Sequence, residues 1–74
     1  METPAYAVFL FPSVGHALKG EKILRDGGIA CKLIPVPRQI STDCGVCLRI
    51  EAGLRDAAAE ALQGKVAWDR TVLL

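Results

Sequence analysis

Two cysteines three positions apart form the most reactive pattern in this 74-residue sequence. Cys44 and Cys47 flank Gly45-Val46 and follow the polar stretch 41–43. Two thiols at this spacing can close a small disulfide, bind a soft metal ion or pass a sulfur atom between them. Each of these uses requires two sulfur atoms that are close together and accessible. A polar loop that contains a glycine favours both conditions.

The spacing of the two cysteines also constrains the backbone. Side chains alternate between the two faces of a strand, so Cys44 and Cys47 would point in opposite directions if the chain were fully extended. They can act together only if Gly45 interrupts the strand, which places Cys44 in the loop and Cys47 at the entrance of the strand. The alternative interpretation is that one thiol fills the core and the other is an inert surface cysteine.

Cations near the thiols would favour the thiolate, which is the nucleophilic form. The pair precedes a strand, so the sequence predicts no helix N-terminus beside it. Arg38 and Arg49 bracket the motif. Arg49 lies two positions after Cys47, so in a strand the two side chains point to the same face. The loop residues Ser41 and Gly45 add hydroxyl and amide groups, and we include them with the two arginines among the candidate binding residues.

A closed metal site has weaker support. Structural zinc needs four ligands, of which Cys44 and Cys47 supply two. Cys31 lies in a predicted strand and is expected in the core, and His16 lies near the start of a predicted helix as a surface, capping or binding residue. We therefore expect no resident metal or other cofactor. The alternative is a soft-metal or metallochaperone module in which Cys44 and Cys47 bind Cu(I), or two chains pool their cysteines.

The composition restricts the remaining function classes. Nine basic and eight acidic residues are spread along the chain, so we expect no nucleic-acid partner. No apolar run is long enough for a membrane span, so no membrane association is expected. Three cysteines, an odd number, argue against a secreted disulfide framework, and the expected location is the cytoplasm. A homodimer that covers a strand edge would add stability to so short a chain.

The apolar pattern predicts four strands and two helices. Ser13 is a suitable N-cap for the first helix, and Gly64 marks the end of the second. In chain order the predicted elements are a strand at Tyr6–Phe11, a helix at Val14–Asp26, strands at Ile29–Ile34 and Cys47–Glu51, a helix at Leu54–Leu62 and a strand at Val66–Leu74. The first helix should bury Val14, Ala17, Leu18 and Leu24, and the second Leu54, Ala57, Ala58, Ala61 and Leu62.

The order β-α-β-β-α-β predicts an α+β fold. Right-handed crossovers give a four-stranded antiparallel sheet with two helices on one face, a ferredoxin-like sandwich. We expect residues 1–74 to form one such domain.

Five blocks of the sequence carry a family resemblance. They are Phe11-Pro12-Ser13, His16-Ala17-Leu18, Glu21-Lys22, Leu33 to Arg38, and Ser41 through Cys44-Gly45 to Leu48-Arg49. In these blocks the chain resembles, over nearly its whole length, the selenium/sulfur carrier-like family of small bacterial proteins. The resemblance implies that the cysteine of the Cys-Gly pair, Cys44, is the carrier thiol. It also implies that Cys47 is a feature of only part of the family.

The leading hypothesis is a sulfur or selenium carrier rather than a stand-alone enzyme. A donor protein would load Cys44 as a persulfide, Arg38 and Arg49 would favour the anionic sulfur, and Cys47 would release the cargo to an acceptor by forming a disulfide. The alternatives are the metal-binding module and a non-catalytic module that binds a ligand or a partner.

Overall fold

Four strands and two helices make up the fold. The computed structural model describes residues 5–37, 40 and 45–74. A short 3-10 turn, Ala52–Leu54, precedes the second helix. The elements are β1 (Tyr6–Leu10), α1 (Val14–Asp26), β2 (Lys32–Pro35), β3 (Val46–Glu51), α2 (Arg55–Leu62) and β4 (Arg70–Leu73). The strand order is β2-β3-β1-β4, and every neighbouring pair is antiparallel. The predicted α+β fold with a four-stranded antiparallel sheet is confirmed.

The central strand β1 is buried on both faces. It pairs with β3 on one side and with β4 on the other, and residues 7–10 have at most 1% of their surface exposed. Ala7 and Phe9 face the helices, while Val8 and Leu10 face the opposite side of the sheet. Both faces of the sheet therefore need an apolar cover.

The helices cover one face of the sheet. Phe9 packs edge-on against Trp68, with ring centroids 5.4 Å apart. As predicted, Leu48 and Ile50 of β3 point inward on this side. The buried residues of this cluster are Ala7, Phe9, Phe11, Ala17, Leu24, Leu48, Ile50, Ala58, Leu62 and Val66.

Helix α1 has the predicted bounds but a different buried face. Ser13 caps its start by accepting a hydrogen bond from the amide of His16. Ala17 and Leu24 are buried as expected, together with Gly20. The prediction that Val14 and Leu18 are buried is wrong, because they are 46% and 49% exposed. The buried face of α1 is formed by Ala17, Gly20 and Leu24, and these two apolar side chains lie outside it.

The two edge strands are shorter than predicted. β2 begins at Lys32 rather than Ile29, because the amide of Ile29 donates to the carbonyl of Leu24 and finishes the end of α1. β4 begins at Arg70 rather than Val66, because the amide of Val66 still bonds to Leu62 in the turn after α2.

Smaller boundaries also differ: β2 ends at Pro35 rather than Ile34, and β4 ends at Leu73 rather than Leu74. Leu10 rather than Phe11 ends β1, and Val46 rather than Cys47 begins β3. In α2, Ala58 and Leu62 are buried as predicted, but Ala57 is exposed. Leu54 lies in the 3-10 turn ahead of the helix. None of the described helices combines the length and the apolar character needed to cross a bilayer.

Replacing Gly20 with alanine should destabilise the protein. A Cβ at this position would lie 2.9 Å from Phe11 Cζ and 3.2 Å from Leu48 Cδ1. Alanine gains about 1 kcal/mol of helix propensity, but overpacking costs about 1–3 kcal/mol. We expect a net loss of about 1 kcal/mol in the free energy of unfolding, measured by urea denaturation.

Gly15→Ala is the matched control in the same helix. A Cβ there meets only Ser13 Oγ, at 3.7 Å, so the propensity gain should remain. An equal gain in stability from both substitutions would contradict the close approach of α1 to the sheet.

Candidate thiol site

Cys47 lies on the sheet face that carries no helix. It occupies the second position of β3, opposite Leu10 of β1 and Ile34 of β2. None of its surface is exposed, and it packs in a small apolar cluster with Val8, Leu10 and Ile40. In this conformation the thiol is inaccessible to a dissolved reactant.

Two apolar residues that follow β2 cover this cluster. Ile40 is only 8% exposed and contacts it directly, and the partly buried Val36 packs beside it. The amide of Ile40 donates to the carbonyl of Pro37 at 2.9 Å, and the amide of Val36 donates to the carbonyl of Gly45 at 3.1 Å. We call Val36 and Ile40 the apolar cover. The sequence prediction missed it, although two apolar residues in a polar loop were a signal.

Gly45 interrupts the strand geometry just before β3 begins at Val46. Its φ of +82° lies in the left-handed region that favours glycine. The expected interruption of strand geometry between the two cysteines is therefore present. Cys44 itself lies outside the described residues, as do the candidate binding residues Arg38 and Ser41. The pairing of Cys44 with Cys47 stays a prediction.

Arg49 shares a face with Cys47, but its guanidinium does not lie beside the thiol. Arg49 Cζ is 4.4 Å from the centroid of the Tyr6 ring. Tyr6 pairs with Glu51, whereas Cys47 pairs with Leu10. The guanidinium therefore points along the sheet toward Tyr6 and away from Cys47.

His16 belongs to the cap of α1. Its ring Nδ1 lies 2.6 Å from Ser13 Oγ, and its amide donates to the same oxygen at 3.2 Å. The side chain is exposed and borders a cavity of about 370 Å³ together with Lys19 and Lys65. The structure thus places His16 in the helical layer, on the opposite side of the sheet from the Cys47 thiol.

The third cysteine is separated from Cys47 by the sheet. Cys31 lies just before β2 rather than inside a strand, is partly buried, and packs against the helix-side cluster. Its Sγ is 3.9 Å from the backbone carbonyl of Glu21. Burial raises the pKa of the Cys31 thiol, and the nearby Arg25 guanidinium partly opposes this effect. Cys31 is therefore a poor nucleophile at neutral pH.

The described ranges contain no group of three or more histidine, cysteine, aspartate or glutamate side chains that could hold a metal ion. This finding does not extend to Cys44, which lies outside those ranges.

Comparison with protein families identifies the chain. Residues 6–69 match the family model described as "Putative Se/S carrier protein-like". The chain belongs to this family. The match to the carrier-like family includes all the elements except β4. No curated protein matches the chain, and neither does any solved structure.

Removing the apolar cover should expose Cys47. In reduced Ile40→Ala protein we expect iodoacetamide to alkylate Cys47 at least about tenfold faster than in the parent, because truncation of a buried isoleucine weakens local packing by about 2–5 kcal/mol. Peptide mass mapping of a time course measures this rate.

Ile23→Ala is the control, since Ile23 packs against the helix-side cluster. It should destabilise the protein without selectively exposing Cys47. Equal acceleration in both variants would mean that Cys47 reacts through global unfolding rather than through movement of its cover.

The raised pKa of Cys31 should be measurable from the pH dependence of alkylation. In Cys44→Ser/Cys47→Ser protein, Cys31 is the remaining cysteine. Its thiolate fraction should rise at a higher pH than in the same variant unfolded in urea, because burial disfavours the charged form. The measurement compares the midpoints of the two pH–rate curves. A folded midpoint at or below the unfolded one would contradict this assignment.

Proposed function

We propose that the protein is a sulfur or selenium carrier that holds its cargo on Cys44. The observation that carries this proposal is the family match over residues 6–69. Within these residues, Cys44 belongs to the Cys-Gly pair whose cysteine the resemblance assigns as the carrier thiol. The strand order and the two helices on one face also support a ferredoxin-like sandwich.

The loading step is an exchange between sulfur atoms. The Cys44 thiolate attacks the outer sulfur of a persulfide on the donor protein, so that a Cys44 S–S bond forms as the donor S–S bond breaks. The donor cysteine leaves as a thiolate, and the donor's proton stays on the transferred sulfur or passes to solvent. No net oxidation takes place in this step.

Release would use the second cysteine. The Cys47 thiolate attacks Cys44 Sγ, a Cys44–Cys47 disulfide forms, and the outer sulfur leaves as hydrosulfide. The sulfane sulfur is thereby reduced by two electrons, which come from the two cysteine thiols. A small-molecule thiol then restores the dithiol by exchange.

The burial of Cys47 supports this division of roles. A thiol with no exposed surface cannot be the first to meet a donor protein, so entry of the cargo falls to Cys44. Release would require the apolar cover, Val36 and Ile40, to move away from Cys47. Cargo would then be retained until an acceptor displaces this cover.

The remaining assignments follow from the same chemistry. We propose that Arg38, Ser41 and the amide of Gly45 stabilise the anionic sulfur, with Arg49 acting from a greater distance because its guanidinium lies over Tyr6. The partners would be a donor protein and an acceptor protein in the cytoplasm, where thiols stay reduced. The formation of a homodimer is part of the same proposal.

A sulfur-transfer assay tests the carrier function. We incubate the reduced protein with a cysteine desulfurase and cysteine and record its intact mass. The parent should gain about 32 Da, the mass of one sulfur atom, as a persulfide. Cys44→Ser should gain nothing, whereas Cys47→Ser should retain the adduct longer because the release step is missing.

Cys31→Ser is the matched control, because Cys31 lies on the opposite side of the sheet from Cys47. It should load like the parent. Absence of an adduct on the parent, or an equal adduct on Cys44→Ser, would overturn the proposal.

A further inference from the structure

Two cations face each other across the edge of the sheet. Lys32 of β2 is the register partner of Arg49 of β3, so the two side chains leave the same face from neighbouring positions. Like charges at directly opposed positions destabilise a sheet. Across the described part of the chain, neither side chain has a carboxylate within 4.0 Å. The repulsion between Lys32 and Arg49 is therefore not offset by an ion pair with a described carboxylate.

Arg49 is held in place without using its hydrogen-bond donors. Its guanidinium lies over the Tyr6 ring, at 4.4 Å from the centroid, which orients the group by a cation–π contact. Among the described residues, no protein group accepts a hydrogen bond from it. A guanidinium has five N–H donors in a fixed plane, and those of Arg49 meet no acceptor among the described residues.

A cavity of about 260 Å³ adjoins this pair. Tyr6, Cys31, Lys32, Arg49 and Glu51 contribute to its wall. Glu51 is the only acidic residue in that lining, and among the described residues it forms no ion pair with Lys32 or Arg49. The two positive charges exceed the single negative one, so the cavity favours an anion.

We infer that Lys32, Arg49 and Tyr6 form a binding site for the phosphate group of a small molecule. The guanidinium plane and the ammonium group together match a doubly charged oxyanion with several acceptor oxygens. The Tyr6 ring, 39% exposed, offers an apolar surface to the rest of such a molecule. This site lies at the other end of the sheet face from Cys47 and does not depend on the carrier function.

Titration with inorganic phosphate and with phenyl phosphate tests the site. We use ¹⁵N-labelled protein and follow amide and arginine Nε–H signals, with sodium chloride adjusted to hold the ionic strength constant. We expect saturable shifts at residues 31, 32 and 49–51 and at Arg49 Nε. Tighter binding of phenyl phosphate would identify the ligand as an ester, and equal binding would identify the free ion.

Two substitutions make the test specific. Lys32→Gln should weaken phosphate binding about tenfold, because it removes one charged hydrogen-bond donor. The same change should raise the Tm of the phosphate-free protein by about 1–4 °C, because it removes the like-charge contact. A merely structural lysine would not combine lost binding with a gain in stability.

Lys22→Gln is the control for net charge. Lys22 lies on α1 and forms an exposed ion pair with Asp26, so its loss should leave phosphate binding within twofold of the parent. The inference would be overturned by shifts that do not saturate, by shifts centred on residues 13–19 and 65 instead, or by equal weakening in Lys22→Gln and Lys32→Gln.

Discussion

The double-sided burial of β1 is the constraint on which the rest of the structure depends. Phe9 on one face and Leu10 on the other have at most 1% exposure, and a strand of this kind is stable only if both faces are covered. The helices cover one face. On the other, the apolar cover formed by Val36 and Ile40 packs over Cys47. Val36 and Ile40 thus form a structural layer in the same stretch of sequence that contains Cys44, the proposed reactive thiol.

The sequence predicted the parts of the fold that depend on local signals. The bounds of α1 follow from Ser13 and the glycines after Asp26, and the inward residues of β3 follow from simple alternation. It could not predict where the edge strands begin, because Ile29 and Val66 use their amides in helix-terminal bonds that arise only after the helices pack.

The candidate site was predictable to a smaller extent. The CxxC spacing identified Cys47 and the interruption at Gly45, but alternation along β3 does not reveal what covers the face on which Cys47 lies. Cys47 is buried in a cluster that includes Ile40, seven positions away in sequence. Likewise, strand alternation correctly predicted that Arg49 lies on the same face as Cys47. The direction of its guanidinium, in contrast, is set by Tyr6 on another strand.

Pro35, the last residue of β2, has a consequence for how partners can approach. It lies on an edge strand opposite Val46 and has no amide hydrogen to offer to a further strand. A further strand added at this end of β2 would therefore lack one backbone hydrogen bond, which disfavours extension of the sheet there. In the proposed carrier function, donor and acceptor proteins would therefore recognise side chains at this edge rather than add a strand to it. This arrangement also protects a short edge strand from aggregating with copies of itself.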